Sequence, residues 1–145
     1  MTVALDKDLL VLLYDVARHI RTYADAEAES LGVTRAQLTI LARLEHQPDI
    51  SQSELAAAAE VSPMTIARLI DRLEELGLVE RCVDPSDRRI WRLRLTPAAT
   101  PMLREIGRLR ARLHSAITKG INPAALETVG VALRQMKQNV GNQLA

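Results

Sequence analysis

Apolar residues recur along this chain at spacings of three and four, interrupted by recognisable helix ends. Leu9, Leu10, Leu12, Leu13, Val16, Ala17 and Ile20 trace one helical face, which predicts a long first helix from about Lys7 to Leu31, stopped by Gly32. Thr34 with Gln37 three residues on reads as a capping box, in which each side chain satisfies a free amide of the other's turn. The helix it opens carries Leu38, Leu41, Ala42 and Leu44 and stops before Pro48. Ser51 with Glu54 is a second capping box and opens the short helix SELAAAAE. Ser62 before Pro63 is an N-cap followed by the residue favoured at the first helical position, and that fourth helix ends at Gly77.

After Gly77 the period changes from helical to alternating. Val79, Arg81 and Val83, then Trp91, Leu93 and Leu95, follow the two-residue period of strands, and DPSDRR between them is a polar turn. The unit is a β-hairpin with a long charged tip. Thr96-Pro97 repeats the cap-plus-proline start of a helix running to about Lys119 and Gly120, and Asn122-Pro123 starts a last helix in the same way. The order is four helices, a hairpin and two helices. Its middle is a winged helix-turn-helix, so the fold class is mainly α with a small β-hairpin. One domain is expected over 1–145: an N-terminal dimerisation helix (1–33), a winged-helix core (34–96) and C-terminal dimerisation helices (97–145).

Composition narrows the function. The chain has 145 residues, 48% of them hydrophobic, but only 2% aromatic: Tyr14, Tyr23 and Trp91, with no Phe. A row of stacked aromatics for single-stranded nucleic acid is therefore excluded. Net charge is +1, which advertises no polyanionic partner. By region the balance is uneven: residues 1–35 hold 4 basic and 6 acidic side chains, 36–61 hold 1 and 4, 62–95 hold 7 and 6, and 96–145 hold 7 and 2. Such a basic tail is more often a solvated face than an anion site. The first residues lack the basic start and small-residue cleavage site of a signal peptide, and no apolar run is long enough to span a membrane, so a cytoplasmic protein is expected.

The chemistry sits in the fourth helix and the hairpin tip. Ile66, Leu69, Ile70, Leu73 and Leu76 form one apolar stripe, and burying it leaves Thr65, Arg68 and Arg72 on another face, with Met64 and Asp71 beside them. A major groove admits a helix, and arginine can donate two bonds to a guanine edge there. Ser51, Gln52 and Ser53 open the preceding helix, where amides and hydroxyls can hold a phosphate. At the tip, Asp84, Asp87, Arg88 and Arg89 lie within six residues. An arginine on a protruding hairpin can enter a minor groove, and Asp87 can orient one arginine by a charge-assisted bond. A merely solvated polar face accounts for Arg68 and Arg72 taken alone; the tight turn Ala59-Glu60-Val61-Ser62 between two short helices favours recognition.

The run LAAAAEVSPMTIARLIDRLEELGLVERCVDPSDRRIWRLRLTPAA resembles the winged-helix core of MarR-type transcriptional regulators. Leu55-Ala56, Ser62, Thr65, Leu69, Arg72 and Leu73, Gly77-Leu78-Val79, Arg81, the wing Asp84–Arg89 and Leu95-Thr96 carry the likeness, with TRAQLTILARL resembling that family's second helix. The chain departs after the Leu-Thr pair, where the family usually has a nearby Gly and this sequence has Pro97, Ala98, Ala99 and Thr100. The resemblance implies a homodimer on a pseudo-palindromic double-stranded DNA, with the Pro63–Leu76 helix in a major groove and the wing in a minor groove. It makes Thr65, Arg68 and Arg72 the groove readers and Arg88 the foremost tip contact, with Arg89 braced by Asp87; together with Ser51, Gln52, Ser62, Pro63 and Met64 these are the expected DNA-facing residues. It also implies a small organic effector held in a cleft between the dimerisation helices and the winged core, for which Tyr14, His19, Tyr23, Arg43 and His46 are the polar residues at hand.

Dimerisation has independent support. Leu126, Val129, Leu133, Met136 and Val140 form a heptad seam, and Leu103, Ile106, Leu109, Leu113 and Ile117 a related face. No cofactor is expected. His19, His46 and His114 show no metal-ligand spacing, and no nucleophile elbow, phosphate-binding glycine loop or carboxylate pair suggests an enzyme. Cys82 is the only cysteine, so no internal disulfide can form, and with no resolving partner in the chain a redox role is not favoured. The expected function is a ligand-responsive DNA-binding repressor; the alternative is a winged-helix protein-interaction adaptor that does not bind DNA.

Overall fold

The computed structural model describes residues 4–144; residues 1–3 and 145, the outermost positions of the expected terminal segments, lie outside the described residues. Six α-helices and one antiparallel hairpin follow in the order α1 (Leu9–Ser30), α2 (Arg35–His46), α3 (Gln52–Ala58), α4 (Pro63–Glu75), β1 (Val79–Val83), β2 (Trp91–Leu95), α5 (Thr100–Thr118) and α6 (Pro123–Leu144). Their contacts form two compact units, Met1–Leu109 and Arg110–Ala145, divided within α5.

The helix ends follow local chemistry. Both capping boxes form: Thr34 Oγ1 accepts from Gln37 N (3.2 Å) and Gln37 Oε1 from Thr34 N (2.9 Å), while Ser51 Oγ accepts from Glu54 N (3.1 Å) and Glu54 Oε2 from Ser51 N (2.8 Å). Ser62 caps α4 through Thr65 N (3.1 Å), and Asn122 Oδ1 accepts from Ala124 N (2.8 Å) at the start of α6. Gly77 adopts the left-handed conformation that ends α4 (φ 73°). Two expected boundaries shift. The first α-helix begins at Leu9 and not Lys7, because Asp8 caps it with a bond from Leu10 N (2.9 Å), and Leu5–Lys7 form a separate 3-10 turn. Thr96 makes no side-chain cap: its hydroxyl donates to the Gly77 carbonyl, and Pro97–Ala99 form a 3-10 turn before α5. Thr96 thus fastens the end of the hairpin to the end of α4.

In the first unit the core is built where the stripes meet. Leu38, Leu41 and Leu44 of α2, Leu55 and Ala56 of α3, and Ile66, Ile70 and Leu73 of α4 are buried with Val79 and Leu93 of the hairpin. Ala28, Ile106 and Leu109 are buried in the same core. On the α4 stripe Leu69 is half-buried, and Leu76, the C-cap, is exposed. The hairpin pairs Val79 with Leu95, Arg81 with Leu93 and Val83 with Trp91. It is tied to the start of α3 by a bridge between Ser51 and Arg92 and by Leu93 N donating to Ile50 O (3.0 Å). The second unit holds the end of α5 and the whole of α6, which buries no residue completely; along its seam Leu126 and Met136 are half-buried and Val129, Leu133 and Val140 exposed. Among the described residues no helix is long and apolar enough to cross a membrane.

Candidate functional site

The outward face of α4 begins with a pair of hydroxyls. Ser62 Oγ and Thr65 Oγ1 lie 2.9 Å apart at the exposed N-terminus of the helix, beside Pro63 and an exposed Met64. One turn on, Arg68 is exposed and has no hydrogen bond or ion pair with any described residue. Arg72, one turn further, is exposed but pairs with Glu75 (3.1 Å).

α3 contributes support more than surface. Ser51 is buried, and its hydroxyl serves the Glu54 cap, so it sets the helix start and is not an open phosphate contact. The backbone and side-chain bonds from Ser51 hold the Glu54 carboxyl below its ordinary range. Gln52 is half-buried, and its Oε1 accepts from Arg81 Nε (2.9 Å), which binds α3 to the hairpin.

The wing is organised by two aspartates. Asp84 is buried at the end of β1, where its Oδ1 accepts from the Ser86 hydroxyl (2.6 Å), Ser86 N (2.8 Å) and Asp87 N (3.0 Å), and its Oδ2 from Arg92 Nε (2.6 Å). The Ser86 hydroxyl first, then Arg92, hold its carboxyl well below the usual carboxylate range. Asp87 takes Arg89 in a two-pronged pair (Nε 3.1 Å, Nη2 3.0 Å), which lowers the Asp87 pKa and raises that of Arg89. The pair leaves the Arg89 side chain 90% exposed, so its guanidinium is both oriented and open. Arg88 beside it is exposed and has no partner among the described residues. At the base of the wing Arg94 pairs with Asp49, which raises the arginine's pKa, and Asp49 stands at φ 63°.

Three of the five expected effector residues border concavities, Arg43 and His46 together and Tyr14 apart from them. Arg43 lines a recess of about 310 Å³ with Arg35, Thr39, Ile40, Leu55 and Leu69. Arg43 and His46 share a neighbouring concavity with Thr39 and Gln47. Tyr14 borders a third, on α1, with Leu10, Leu13 and Arg21. Tyr23 packs against the core, and His19 is exposed on α1. Spacing along α1 and α2 cannot reveal which helix faces converge. The residue that sequence reasoning undervalued is Arg81, read there only as a strand position and a part of the family likeness. Its signal was the position: a charged residue on the core-facing side of the hairpin alternation.

Comparison with known proteins agrees with this architecture. The MarR family model matches residues 33–91. A solved structure of MarR is 28% identical, with a TM-score of 0.83, covering 99% of this chain and 97% of that one. The transcriptional regulator SlyA is also 28% identical with a TM-score of 0.83, over 94% of this chain and 96% of its own. MepR of S. aureus, solved as a DNA complex, shares the fold at 20% identity and a TM-score of 0.78, over 93% and 98% of the two chains. With its wing, its paired short helices and its six-helix order, the chain has the fold of the MarR-type winged helix-turn-helix regulators, and its residues 33–91 match that family.

Proposed function

We propose that this regulator is a dimeric, ligand-responsive repressor that binds a pseudo-palindromic DNA duplex. The observation that carries the DNA reading is the pair of unpartnered guanidiniums, Arg68 on the outward face of α4 and Arg88 at the wing tip. Leaving arginines without internal partners gains the fold nothing, whereas a helix and a hairpin carrying them suit a major and a minor groove. The Ser62 and Thr65 hydroxyls lie where the α4 N-terminus would meet a phosphate or base edge. Arg89, fixed by Asp87 yet open, is a preorganised second contact on the wing. A protein of the same fold has been solved on DNA.

Dimerisation is supported by apolar side chains with nothing over them. Leu9, Leu10, Leu12, Tyr14 and Val16 are exposed on α1, and Val129, Val131, Leu133 and Val140 on α6. Exposed apolar side chains along each of these helices suit an interface, and a two-fold dimer matches two half-sites about one helical turn apart. The recess beside Arg43, with an apolar lining and two arginines, is the effector site this reading favours.

Titration of purified protein against the duplex upstream of its own gene, at two salt concentrations, tests the reading. Binding that weakens steeply with salt supports it, since neutralised phosphates release counterions. Failure to bind at low salt sinks it. The adaptor reading draws on one observation, the exposed Met64 at the head of α4; a protein partner that competes with DNA for that face is its signature.

A further inference from the structure

The charge of α4 does not suit a helix that meets a polyanion. Pro63–Glu75 carries Arg68 and Arg72 against Asp71, Glu74 and Glu75. Carboxylates brought up to phosphates repel them, and most strongly where water is displaced.

The compensation comes from outside the helix. Arg81 stands on β1 with its side chain only 15% exposed; its Nη1 lies 2.7 Å from Asp71 Oδ1 and 3.1 Å from Glu74 Oε1. Its Nη2 donates to the Ala67 carbonyl (3.2 Å), its Nε to Gln52 Oε1 (2.9 Å) and its backbone N–H to Glu74 Oε2 (3.1 Å). Arg72 meanwhile pairs with Glu75 (3.1 Å). Every carboxylate of α4 therefore faces a guanidinium, and Arg68 alone on the helix is left uncommitted.

We infer that Arg81 is the charge-compensating, positioning residue of the DNA-facing helix. It offsets one of the two negative charges of Asp71 and Glu74 and holds both carboxylates toward the wing strand. α4 can then present Arg68 and its hydroxyls to the duplex with a much weaker flanking negative field. The inference rests on the DNA-binding reading and adds a residue that itself need not touch DNA.

The test compares full-length wild type with four variants: Arg81→Gln, Arg81→Lys, the double Asp71→Asn/Glu74→Gln, and the triple that combines the double with Arg81→Gln. Each is titrated with the same upstream duplex at low and high salt, with thermal melts alongside. Arg81→Gln is expected to bind roughly ten- to a hundred-fold more weakly at low salt. Its deficit should shrink as salt rises, because repulsion is screened over about 10 Å at 0.1 M. Arg81→Lys, which keeps the charge, should lose less. The triple variant lacks both carboxylates and should return to within about threefold of wild type, although none of the Arg81 ion pairs remains. The double variant leaves Arg81 uncompensated and should bind more tightly than wild type; it decides the matter even if Arg81→Gln does not fold. A salt-independent deficit that the triple variant does not recover would make Arg81 a structural brace and overturn the inference. A double variant that binds no more tightly would overturn it as well. If wild type itself fails to bind the duplex, the DNA-binding reading fails, and that result is distinct from the other two.

Discussion

Replacing Arg88 by alanine separates function from fold more cleanly than any other single change. The side chain is exposed and makes no hydrogen bond or ion pair with any described residue, so its loss removes no internal polar interaction. Stability should stay within about 0.5 kcal/mol, a shift of about 2 °C in Tm for a chain of this length. DNA affinity should respond very differently. An arginine in a groove contributes about 1–3 kcal/mol, and a two-fold dimer loses one from each wing. Taking the lower figure for both wings gives about 2 kcal/mol, or roughly a thirty-fold rise in Kd. The salt slope should also fall by about 2, since each cation removed leaves about one fewer counterion released. Fluorescence anisotropy with the upstream duplex at roughly 50 and 200 mM salt measures both quantities. An unchanged Kd and slope would refute the placement of the wing in the groove. A fall in Tm of many degrees would show that Arg88 holds the hairpin together.

Three further outcomes follow from the geometry. Ile70→Ala removes a side chain of α4 that is 0% exposed, and chemical denaturation should show a loss of about 3 kcal/mol, with retained stability arguing against the assigned α4 core face. Glu60 occupies the left-handed region (φ 54°) in the turn before α4, so Glu60→Gly should raise stability by up to about 1 kcal/mol, and a clear loss would mean that its side chain holds the turn. Asp84 has its pKa depressed by Ser86, Arg92 and nearby amides. Its contribution is therefore fully present above the ordinary carboxylate value and is lost as pH falls through the folded one; protection factors of the hairpin amides, taken relative to the intrinsic exchange rate, should fall below about pH 4 in wild type, and Asp84→Asn should flatten that acid limb.

Much of the fold was legible because its signals are local. Thr34 with Gln37, Ser51 with Glu54, and Ser62 with Thr65 behind Pro63 each close a hydrogen bond within one turn, and so announce the same structure wherever they occur. The wing was equally readable, since alternation ended at DPSDRR and resumed at Trp91. Asp8 was passed over because three aspartates near the first apolar run offered competing starts. Thr96 looked like a cap by its position before Pro97, yet the Gly77 carbonyl, brought beside it by the hairpin, took its hydroxyl instead. The faces that border each concavity were illegible for a related reason: a helix face is legible in sequence, but which other face it meets is not.

The arginines of residues 62–95 show where sequence ends and tertiary structure begins. By itself the sequence determined that a short apolar-striped helix, a tight turn and a charged hairpin tip lie in succession, and that Arg68, Arg72, Arg88 and Arg89 fall on polar faces. It could not tell free cations from engaged ones, because partnership depends on contacts across many residues. Gln52 meets Arg81 at a separation of 29, and Asp49 meets Arg94 at 45. Only the packing of the wing against the start of α3 and the side of α4 commits Arg81, Arg92 and Arg94 to internal acids and leaves Arg68 and Arg88 facing outward. Capping is a short-range property of the chain, whereas the pattern of exposed charge emerges only when distant segments share a core.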